Sequence, residues 1–373
     1  MKLIILIKIK SKESRYRVDI KVAEKILIMS IKLFTLIYIL SHLKASEIKI
    51  EDPCNDLEVK HSFKKFKEKF NKNYKNKSED NYRFRVFCKN KQKIDEVNND
   101  PTATYELGVN EFSDLLFEEF ANKYLMTDKI IEVPDSEDKE PPKRILMEFD
   151  SSLPNSFDWR NTDGAVNPVR NQGDCGSCWA FSAVSSMENA LWRAQNISVG
   201  LSEQELVDCS SEYGNGGCNG GWMTSAYRYV RDNGISTELN YPYNGLTNDC
   251  RNNKKKRKPR YSVTSFPSFP EGVLNLQRAV VQGVVSIAYN VGAEFQSYKS
   301  GVFNRTFTNC ESTVNHGMNV VGYHIDADPA KSYFIVRNSW GTNWGEQGYI
   351  KIVWGSGVGN CNLAKYINVV NAN

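Results

Sequence analysis

The residues best suited to covalent chemistry are Cys175 and Cys178, which lie in a polar turn that contains two glycines. From residue 171 to residue 182 the chain reads Asn-Gln-Gly-Asp-Cys-Gly-Ser-Cys-Trp-Ala-Phe-Ser, and apolar residues then recur at helical spacing. Cys178 is therefore expected where a helix begins. Unpaired backbone N–H groups and the positive end of the helix dipole favour a thiolate there. Because the thiolate is the nucleophilic form, Cys178 is a candidate for covalent catalysis.

Three interpretations of this cysteine pair are open. In the first, both cysteines are structural. In the second, the Cys-x-x-Cys spacing marks a thioredoxin-like redox pair. In the third, Cys178 alone is a nucleophile and Cys175 belongs to a disulfide. A nucleophile needs a base, whereas a redox pair does not, so the rest of the chain must decide between them.

A base is available in only a few places, because the chain has four histidines: His42, His61, His316 and His324. His316 stands at the start of a segment that turns from polar residues into an apolar, strand-like run. Further along, residues 338–341 read Asn-Ser-Trp-Gly. His316 is therefore the candidate base for Cys178.

Together these segments resemble the papain family of cysteine proteases, and within it the cathepsin L-like group. The Cys-Gly-Ser-Cys-Trp signature is typical of that family, which has its histidine and asparagine roughly 130–150 residues after the nucleophile. Here His316 and Asn338 follow Cys178 by 138 and 160 residues, and an inserted loop would explain the longer separation. A redox pair predicts neither distant segment, so the resemblance favours a nucleophilic Cys178.

The resemblance implies a role for each of these residues. Cys178 would be the nucleophile and His316 its proton partner, with Asn338 orienting the imidazole through its side-chain oxygen. Gln172 would supply a side-chain N–H to an oxyanion hole, together with the backbone N–H of Cys178. Trp340 would shield the bond between histidine and asparagine from water. The resemblance implies no metal ion and no cofactor.

Length and composition limit the class of protein. The 373 residues suggest two or more domains, and 40% hydrophobic with 25% charged residues is ordinary for a globular protein. A net charge of +4 does not point to nucleic acid. Nine cysteines favour an oxidising compartment, and the odd number leaves at least one thiol unpaired.

The N-terminal region predicts export. Residues 1–28 are a leading extension of mixed apolar and basic character, and residues 29–45 have the basic start, short apolar run and small residue of a signal peptide. The apolar run is shorter than the about 20 residues that span a bilayer, so no stable membrane span is expected; a tethered form is the alternative. We expect the secretory pathway, with a lysosome-like acidic or an extracellular destination. Asn76, Asn196 and Asn304 each open a glycosylation sequon.

Residues 46–150 resemble the inhibitory propeptide of cathepsin L-like proteases. Aromatic residues recur at helical spacing through residues 57–98, which predicts a pair of amphipathic helices. Residues 108–114 read Gly-Val-Asn-Glu-Phe-Ser-Asp and match a second propeptide motif. The first motif is spread along the preceding helix, at Glu79, Arg83, Phe87, Asn90, Ile94 and Asn98.

Residues 127–150 are rich in charge and contain three prolines, which predicts an extended, exposed segment. The resemblance implies that this stretch runs through the active-site cleft and is cut during maturation. The mature enzyme would begin between Ser151 and Pro154, so that residues 151–373 form the protease domain.

The protease domain is predicted to be α+β. The part through about residue 260 predicts helices, including one with the capping-box pair Ser202 and Glu205. The later part contains strand-like runs at residues 284–288, 317–323, 333–336 and 349–353. The resemblance implies two papain-like lobes, one helical and one an antiparallel, barrel-like sheet, with Cys178 and His316 on opposite sides of the cleft between them.

Six cysteines of this domain besides Cys178 allow 15 pairings, so counting alone assigns none of them. Cys54 and Cys88 precede the domain and have no assignment. The resemblance implies the disulfides Cys175–Cys218, Cys209–Cys250 and Cys310–Cys361.

Substrates are expected to be proteins and peptides. Gly220 and Gly221 resemble the loop on which the family lays an extended peptide. The pocket for the second residue before the scissile bond is uncharged, which favours a hydrophobic residue. Its expected lining is Trp222, Met223, Ala288, Val314, Gly317 and Tyr366, of which Tyr366 is bulkier than the residue often found there.

Further partners implied by the resemblance are the chain's own propeptide and cystatin-like inhibitors, and we expect a monomer. Two other functions are a catalytically inactive relative that only binds peptides or inhibits proteases, and a product that acts through its propeptide. The presence of all four candidate catalytic residues argues against the first, and the complete protease domain argues against the second.

Overall fold

The computed structural model describes Lys25 and residues 27–35, 53–126, 153–251, 259–306, 310 and 313–373. The chain divides into two compact units, residues 1–52 and residues 53–373. In the first unit the described residues are helical, with exposed apolar side chains. Among all the residues that the structure describes, no helix is long and apolar enough to cross a membrane. Residues 36–45 of the predicted signal peptide lie outside the described residues.

The second unit begins with the prosegment, the name used below for residues 53–126. The aromatic periodicity of residues 57–98 does produce two helices, and their facing sides bury Phe63, Phe66 and Phe87. The Phe66 and Phe87 ring centroids are 5.0 Å apart. The elements of the prosegment are α1 Leu57–Lys69, α2 Lys77–Asn98, β1 Tyr105–Leu107 and α3 Phe117–Tyr124.

The polar residues of the motif spread along α2 fasten that helix to the loop that follows it. Arg83 forms an ion pair with Glu119 at 2.8 Å and donates to the Asp114 carbonyl. The Asn90 amide donates to the carbonyls of Ser113 and Leu115, each at 2.9 Å. These groups satisfy buried backbone oxygens that would otherwise lack partners.

A disulfide joins Cys54 to Cys88, the pair that the sequence left unassigned. Cys54 lies in a short 3₁₀ turn before α1, and Cys88 is buried in the middle of α2. The bond therefore ties the start of the prosegment to its longest helix.

The strands after the prosegment are β2 Ser156–Asp158, β3 Ile235–Ser236, β4 Arg260–Tyr261, β5 Ser268–Phe269, β6 Val285–Tyr289, β7 Tyr298–Phe303, β8 His316–His324, β9 Tyr333–Arg337, β10 Tyr349–Val353 and β11 Ile367–Val369.

Most of these strands join β1 in one sheet. Its order is β1-β7-β10-β9-β8-β6-β11-β5, and β2 pairs with β8. The prosegment strand β1 is thus an antiparallel neighbour of β7. The sheet is mostly antiparallel, but β7 and β10 run parallel, which the prediction of an antiparallel sheet did not include.

The α-helices after the prosegment are α4 Cys178–Gln195, α5 Glu203–Cys209, α6 Met223–Asn233, α7 Val273–Val280 and α8 Ala293–Gln296. The N-cap of α5 is Ser202, whose hydroxyl accepts the Glu205 N–H at 3.0 Å. The reciprocal half of the predicted capping box is absent. Instead, the Glu205 carboxylate pairs with Arg260 at 2.7 Å and accepts the Ser236 N–H.

Helix α4 packs against β8 through buried polar contacts as well as apolar ones. Ser182 donates to the Met318 carbonyl at 2.8 Å, and Asn319 donates back to the Ser182 carbonyl at 3.0 Å. These bonds fix the register between the two elements. Since Cys178 opens α4 and His316 opens β8, the packing brings the two residues to the same end of the interface.

Candidate active site

Cys178 is the first residue of α4, as the sequence predicts, and its side chain is fully buried. Its Sγ accepts a hydrogen bond from the Gly317 N–H at 3.3 Å. The other eight cysteines form four disulfides, so Cys178 is the free thiol of the chain. A single free thiol at a helix N-terminus is the arrangement that a nucleophile requires.

His316 lies beside this thiol because Gly317, the next residue, contacts the start of α4. A Cβ on Gly317 would stand 3.1 Å from the Trp179 Cα, so a side chain there would push the two elements apart. The His316 Nε2 is 2.8 Å from the Asn338 Oδ1. Among the described residues, the His316 Nδ1 has no hydrogen-bond partner. Nε2 therefore carries the proton, and Nδ1 is left to accept one.

The carbonyl of the Asn338 side chain is itself fixed in place, since its Oδ1 also accepts the Ser339 N–H at 2.8 Å. Trp340 covers the imidazole, with ring centroids 4.7 Å apart, and is completely buried. Two prosegment rings, Phe112 and Phe120, lie edge-on to Trp340. The bond between His316 and Asn338 is thereby kept away from water.

Burial decides the charges of Cys178 and His316 while the prosegment covers them, the state called the closed form below. It raises the pKa of the Cys178 thiol to about 12, against the opposing effect of nearby backbone N–H groups, including that of Gly317. It lowers the pKa of His316 to about 4, against the opposing hydrogen bond with Asn338. Both groups are neutral near pH 7 with the prosegment in place. The thiolate expected from the helix N-terminus is therefore not the favoured form here.

Gln172 is held so that its amide nitrogen faces the site. Its Oε1 accepts the Ser339 hydroxyl at 2.6 Å, and its backbone N–H donates to the Ser339 carbonyl at 2.8 Å. The Nε2 donates to the Cys175 carbonyl at 2.8 Å and to the Tyr124 carbonyl at 2.9 Å. A peptide carbonyl of the prosegment thus binds the donor that the sequence analysis expects in the oxyanion hole.

The prosegment residues in the site are Tyr124, Leu125 and Met126, at the end of α3. The Met126 N–H donates to the Asn315 carbonyl at 2.8 Å, and its side chain lies against Gly220. Residues 127–150, which we expect in the cleft, lie outside the described residues. The placement of the three residues just before them in the site was not predicted from the sequence. The signal that could have found them is a short apolar run between a helix and a charged segment.

One buried cluster contains Cys178, Met126 and four of the predicted substrate-binding residues, Trp222, Met223, Ala288 and Val314. Tyr366 is partly buried and packs against this cluster, with its ring 5.3 Å from that of Trp222. Gly221 has no room for a side chain, because a Cβ there would lie 2.8 Å from the Trp179 ring.

Three disulfides of the protease domain are Cys175–Cys218, Cys209–Cys250 and Cys310–Cys361, the pairs that the resemblance implies. The first joins the turn before Cys178 to the loop that holds Gly220. The Gly176 N–H also donates to the Cys218 carbonyl at 2.9 Å. Within the described ranges, no three His, Cys, Asp or Glu side chains are grouped to hold a metal ion.

Comparisons with known proteins agree with this geometry. Residues 153–370 match the family described as "Papain family cysteine protease", and residues 63–120 match the "Cathepsin propeptide inhibitor domain (I29)". Cathepsin L of Sarcophaga peregrina is 40% identical over 310 residues, which are 79% of this chain and 88% of that protein.

Two solved structures are also similar. Digestive procathepsin L 3 of Tenebrio molitor has a TM-score of 0.71 and 35% identity, covering 84% of this chain and 99% of its own. A Carica candamarcensis cysteine protease in complex with E-64 has a TM-score of 0.54 and 37% identity, covering 59% of this chain and 100% of its own.

Proposed function

The chain belongs to the papain family of cysteine proteases, and on that premise we propose that Cys178, His316, Asn338 and Gln172 perform its chemistry. It is a cathepsin L-like cysteine endopeptidase made with an inhibitory propeptide. The observation that carries the proposal is the state of the His316 ring. Nε2 is bound to Asn338, while the buried Nδ1 has no hydrogen-bond partner among the described residues, and the next residue, Gly317, donates its N–H to the Cys178 thiol.

The first half of the reaction forms an acyl-enzyme. With the prosegment gone, His316 takes the Cys178 proton and the resulting thiolate attacks the carbonyl carbon of the scissile peptide bond. The negative oxygen of the tetrahedral intermediate is bound by the Gln172 Nε2 and the Cys178 backbone N–H. His316 then gives its proton to the departing amine as the C–N bond breaks. The product is a thioester between Cys178 and the N-terminal part of the substrate.

The second half hydrolyses this thioester. His316 removes a proton from water, and the hydroxide attacks the thioester carbonyl. The same two donors stabilise the second tetrahedral intermediate. The C–S bond breaks, the acid product leaves, and Cys178 returns as a thiolate beside a protonated His316. Asn338 keeps the ring in one orientation through both proton transfers.

Substrate selection follows from the apolar cluster around Met126. In the closed form this prosegment side chain belongs to the same buried cluster as Met223 and Val314. We assign this cluster as the pocket for the second residue before the scissile bond, with Gly220, Gly221 and Gly317 as its backbone walls. Burial of apolar area favours a hydrophobic residue there.

The domain boundaries and the compartment are part of the proposal. We assign residues 29–45 as the signal peptide after a leading extension at 1–28, residues 46–150 as the propeptide, and residues 151–373 as the protease domain. Four disulfides fit an oxidising compartment, which supports the secretory pathway. The sequon residues Asn76, Asn196 and Asn304 are exposed, as glycosylation requires. We also propose that the enzyme is a monomer and that cystatin-like inhibitors block its activity.

The test is covalent labelling. The proenzyme is activated, treated with E-64 and digested, and the modified residue is identified by mass spectrometry. We expect one label, on Cys178, and loss of activity in proportion to labelling. Labelling on another residue, or full activity of the fully labelled protein, would rule out Cys178 as the nucleophile.

A further inference from the structure

Asp174 lies in the turn between Gln172 and Cys178, and its carboxylate is bound by two consecutive prosegment side chains. The Lys123 Nζ is 2.8 Å from one oxygen, and the Tyr124 hydroxyl donates to the other at 2.5 Å. Even so, the Asp174 side chain is 61% exposed. The turn is open at this point, because a Cβ on the preceding Gly173 would meet nothing within 4 Å. The carboxylate therefore stands at the rim of the site.

The same tyrosine gives the position of Asp174 along the cleft. Its carbonyl accepts from the Gln172 Nε2, while its hydroxyl reaches Asp174. Two residues later, Met126 lies against Gly220 and in the apolar cluster. Along residues 123–126 the prosegment therefore contacts first Asp174, then Gln172 and then the apolar cluster, which puts Gln172 between the other two in the order of contacts.

The cations that act on Asp174 leave with the prosegment. Partial burial tends to raise the pKa of this carboxyl, but hydrogen bonds from Lys123 and Tyr124, with Lys72 nearby, lower it overall. The acidic Glu111, whose pKa is raised by burial and further by Asp174, also belongs to the prosegment. Removal of the prosegment therefore leaves an ionised Asp174 without these partners.

We infer that Asp174 is a specificity-determining residue that selects a lysine, arginine or tyrosine side chain on the leaving-group side of the substrate. This rests on the proposed function, in which the apolar pocket takes the second residue before the scissile bond. Asp174 then faces residues that follow the bond. A carboxylate with two free oxygens accepts from an ammonium, a guanidinium or a phenol, as it does from Lys123 and Tyr124.

The expected preference is modest because the carboxylate is exposed. Exposed ion pairs change an equilibrium by roughly two- to fivefold. A glutamate at the same substrate position is repelled, so the ratio of kcat/KM for a lysine peptide over a glutamate peptide is larger than the ratio of lysine over glutamine. Because the site is solvated, the preference falls as salt is added.

The experiment uses activated enzyme and internally quenched peptides. All peptides share a hydrophobic residue at the second position before the bond. They differ by lysine, glutamine or glutamate at one of the first three positions after it. The ratio of kcat/KM values is measured for wild type, Asp174→Asn and Asp163→Asn, with each preparation quantified by titration of its active sites. Asp163 is a matched control, since it is exposed and precedes Gly164, which lies against Trp192 near the far end of α4.

We expect a lysine-to-glutamate ratio several-fold above one at one position in wild type and Asp163→Asn, and a ratio near one in Asp174→Asn. Equal ratios in wild type and Asp174→Asn at all three positions would overturn the inference while leaving the proposed function intact. If wild type cleaved no peptide of the set, the proposed function would fail first. Should Asp174→Asn not mature, the salt dependence of the wild-type ratio decides: a ratio near one, or one that salt does not change, would overturn the inference.

Discussion

The Gln172 side-chain amide donates a hydrogen bond of 2.9 Å to the main-chain carbonyl of Tyr124. The prosegment thus places one of its own peptide groups against the donor that we assign to the oxyanion hole. It does so while Trp340, which covers His316, is buried under the prosegment rings of Phe112 and Phe120. The prosegment therefore contacts Gln172 and covers Trp340, which packs on His316, so it blocks residues that we assign to catalysis.

Gln172→Ala should lower kcat by roughly 10²–10³, the usual effect of losing one oxyanion donor. Its effect on KM should be small, because the interaction strengthens in the transition state. Steady-state kinetics of the activated enzyme, with active sites titrated, measure both constants. If kcat were unchanged with chemistry rate-limiting, Gln172 would not belong to the oxyanion hole.

His316→Ala should reduce activity nearly as much as loss of Cys178, because the thiol and the imidazole act as a unit. Asn338→Ala should reduce activity less, since Asn338 orients the ring and transfers no proton. Both variants are compared with wild type in kcat/KM across pH. A larger loss in Asn338→Ala than in His316→Ala would reverse the roles assigned to the two residues.

Acid should release the prosegment. Burial lowers the pKa of His316 to about 4 in the closed form, and an accessible histidine has a value of about 6.5. Between these values the open form binds the proton and the closed form does not. The closed form is therefore fully stable above about pH 6.5. Below that pH, the equilibrium constant for closure falls by up to about tenfold for each pH unit.

Two carboxyl groups act in the same direction at lower pH. Burial opposes the shift, but hydrogen bonds with Lys123 and Tyr124 lower the pKa of Asp174, and hydrogen bonds from Leu116 and Arg83 lower that of Glu119. Their stabilisation is present above the ordinary carboxyl pKa of about 4 and is lost as the pH falls through the lowered values. Glu111 acts in the opposite direction, because burial raises its pKa and its protonation stabilises the closed form.

The purified proenzyme is incubated between about pH 4 and pH 7. Its processing is monitored through the amount of mature-size product and through activity. Processing of the wild-type proenzyme should accelerate as the pH falls. A Cys178→Ala proenzyme incubated without any active protease should not be processed. Equal rates at every pH, or self-processing of Cys178→Ala at the wild-type rate, would exclude acid-triggered autoactivation.

Asp114→Asn should destabilise the docked prosegment. The Asp114 carboxylate is buried, 3.1 Å from the Lys72 Nζ, and accepts the Tyr74 hydroxyl at 2.9 Å. Asparagine keeps an oxygen for Tyr74 but removes the ion pair with Lys72. Because the Lys72 side chain is 24% exposed, the loss of stability should be smaller than the roughly 3–5 kcal/mol of a fully buried pair. The variant should mature faster than wild type near neutral pH, in the processing assay already described. A processing profile identical to wild type would remove Asp114 from the account.

The Cys54–Cys88 disulfide should stabilise the prosegment. The bond spans 34 residues that include α1 and the first half of α2, a separation at which a disulfide contributes about 3–4 kcal/mol by limiting the unfolded chain. In a Cys178→Ala proenzyme, which cannot process itself, replacing both cysteines with alanine should increase hydrogen exchange across α1. Exchange in α4, far along the chain, serves as the internal control. Unchanged protection of α1 would show that the bond is dispensable there.

Local patterns predicted much of this fold. The start of α4 at Cys178 and the strands around His316 and Tyr349 follow from periodicity within each segment. The parallel contact of β7 with β10 did not, because strand pairing depends on residues far apart in sequence. For the same reason the Cys54–Cys88 bond was left open.

The site shows the same division. The resemblance to the papain family pointed to Gln172 and Asn338, whereas the contacts of these residues with Ser339 and the Tyr124 carbonyl came only with the structure. A backbone carbonyl has no sequence signature, and the Ser339 hydroxyl is informative only once its distance to Gln172 is known. The pairing of Glu205 with Arg260 in place of a full capping box has the same origin.

The central claim, that Cys178 is the nucleophile, is tested most directly by peptide hydrolysis in the Cys178→Ala protein. The variant proenzyme is matured in trans, freed of the processing protease, and checked for wild-type circular dichroism. Its rate is then compared with that of wild type and of Cys178→Ser on the same peptide. The account predicts no turnover by the alanine variant above the rate without enzyme, because the acyl-enzyme cannot form. Substantial hydrolysis by the alanine variant would contradict it.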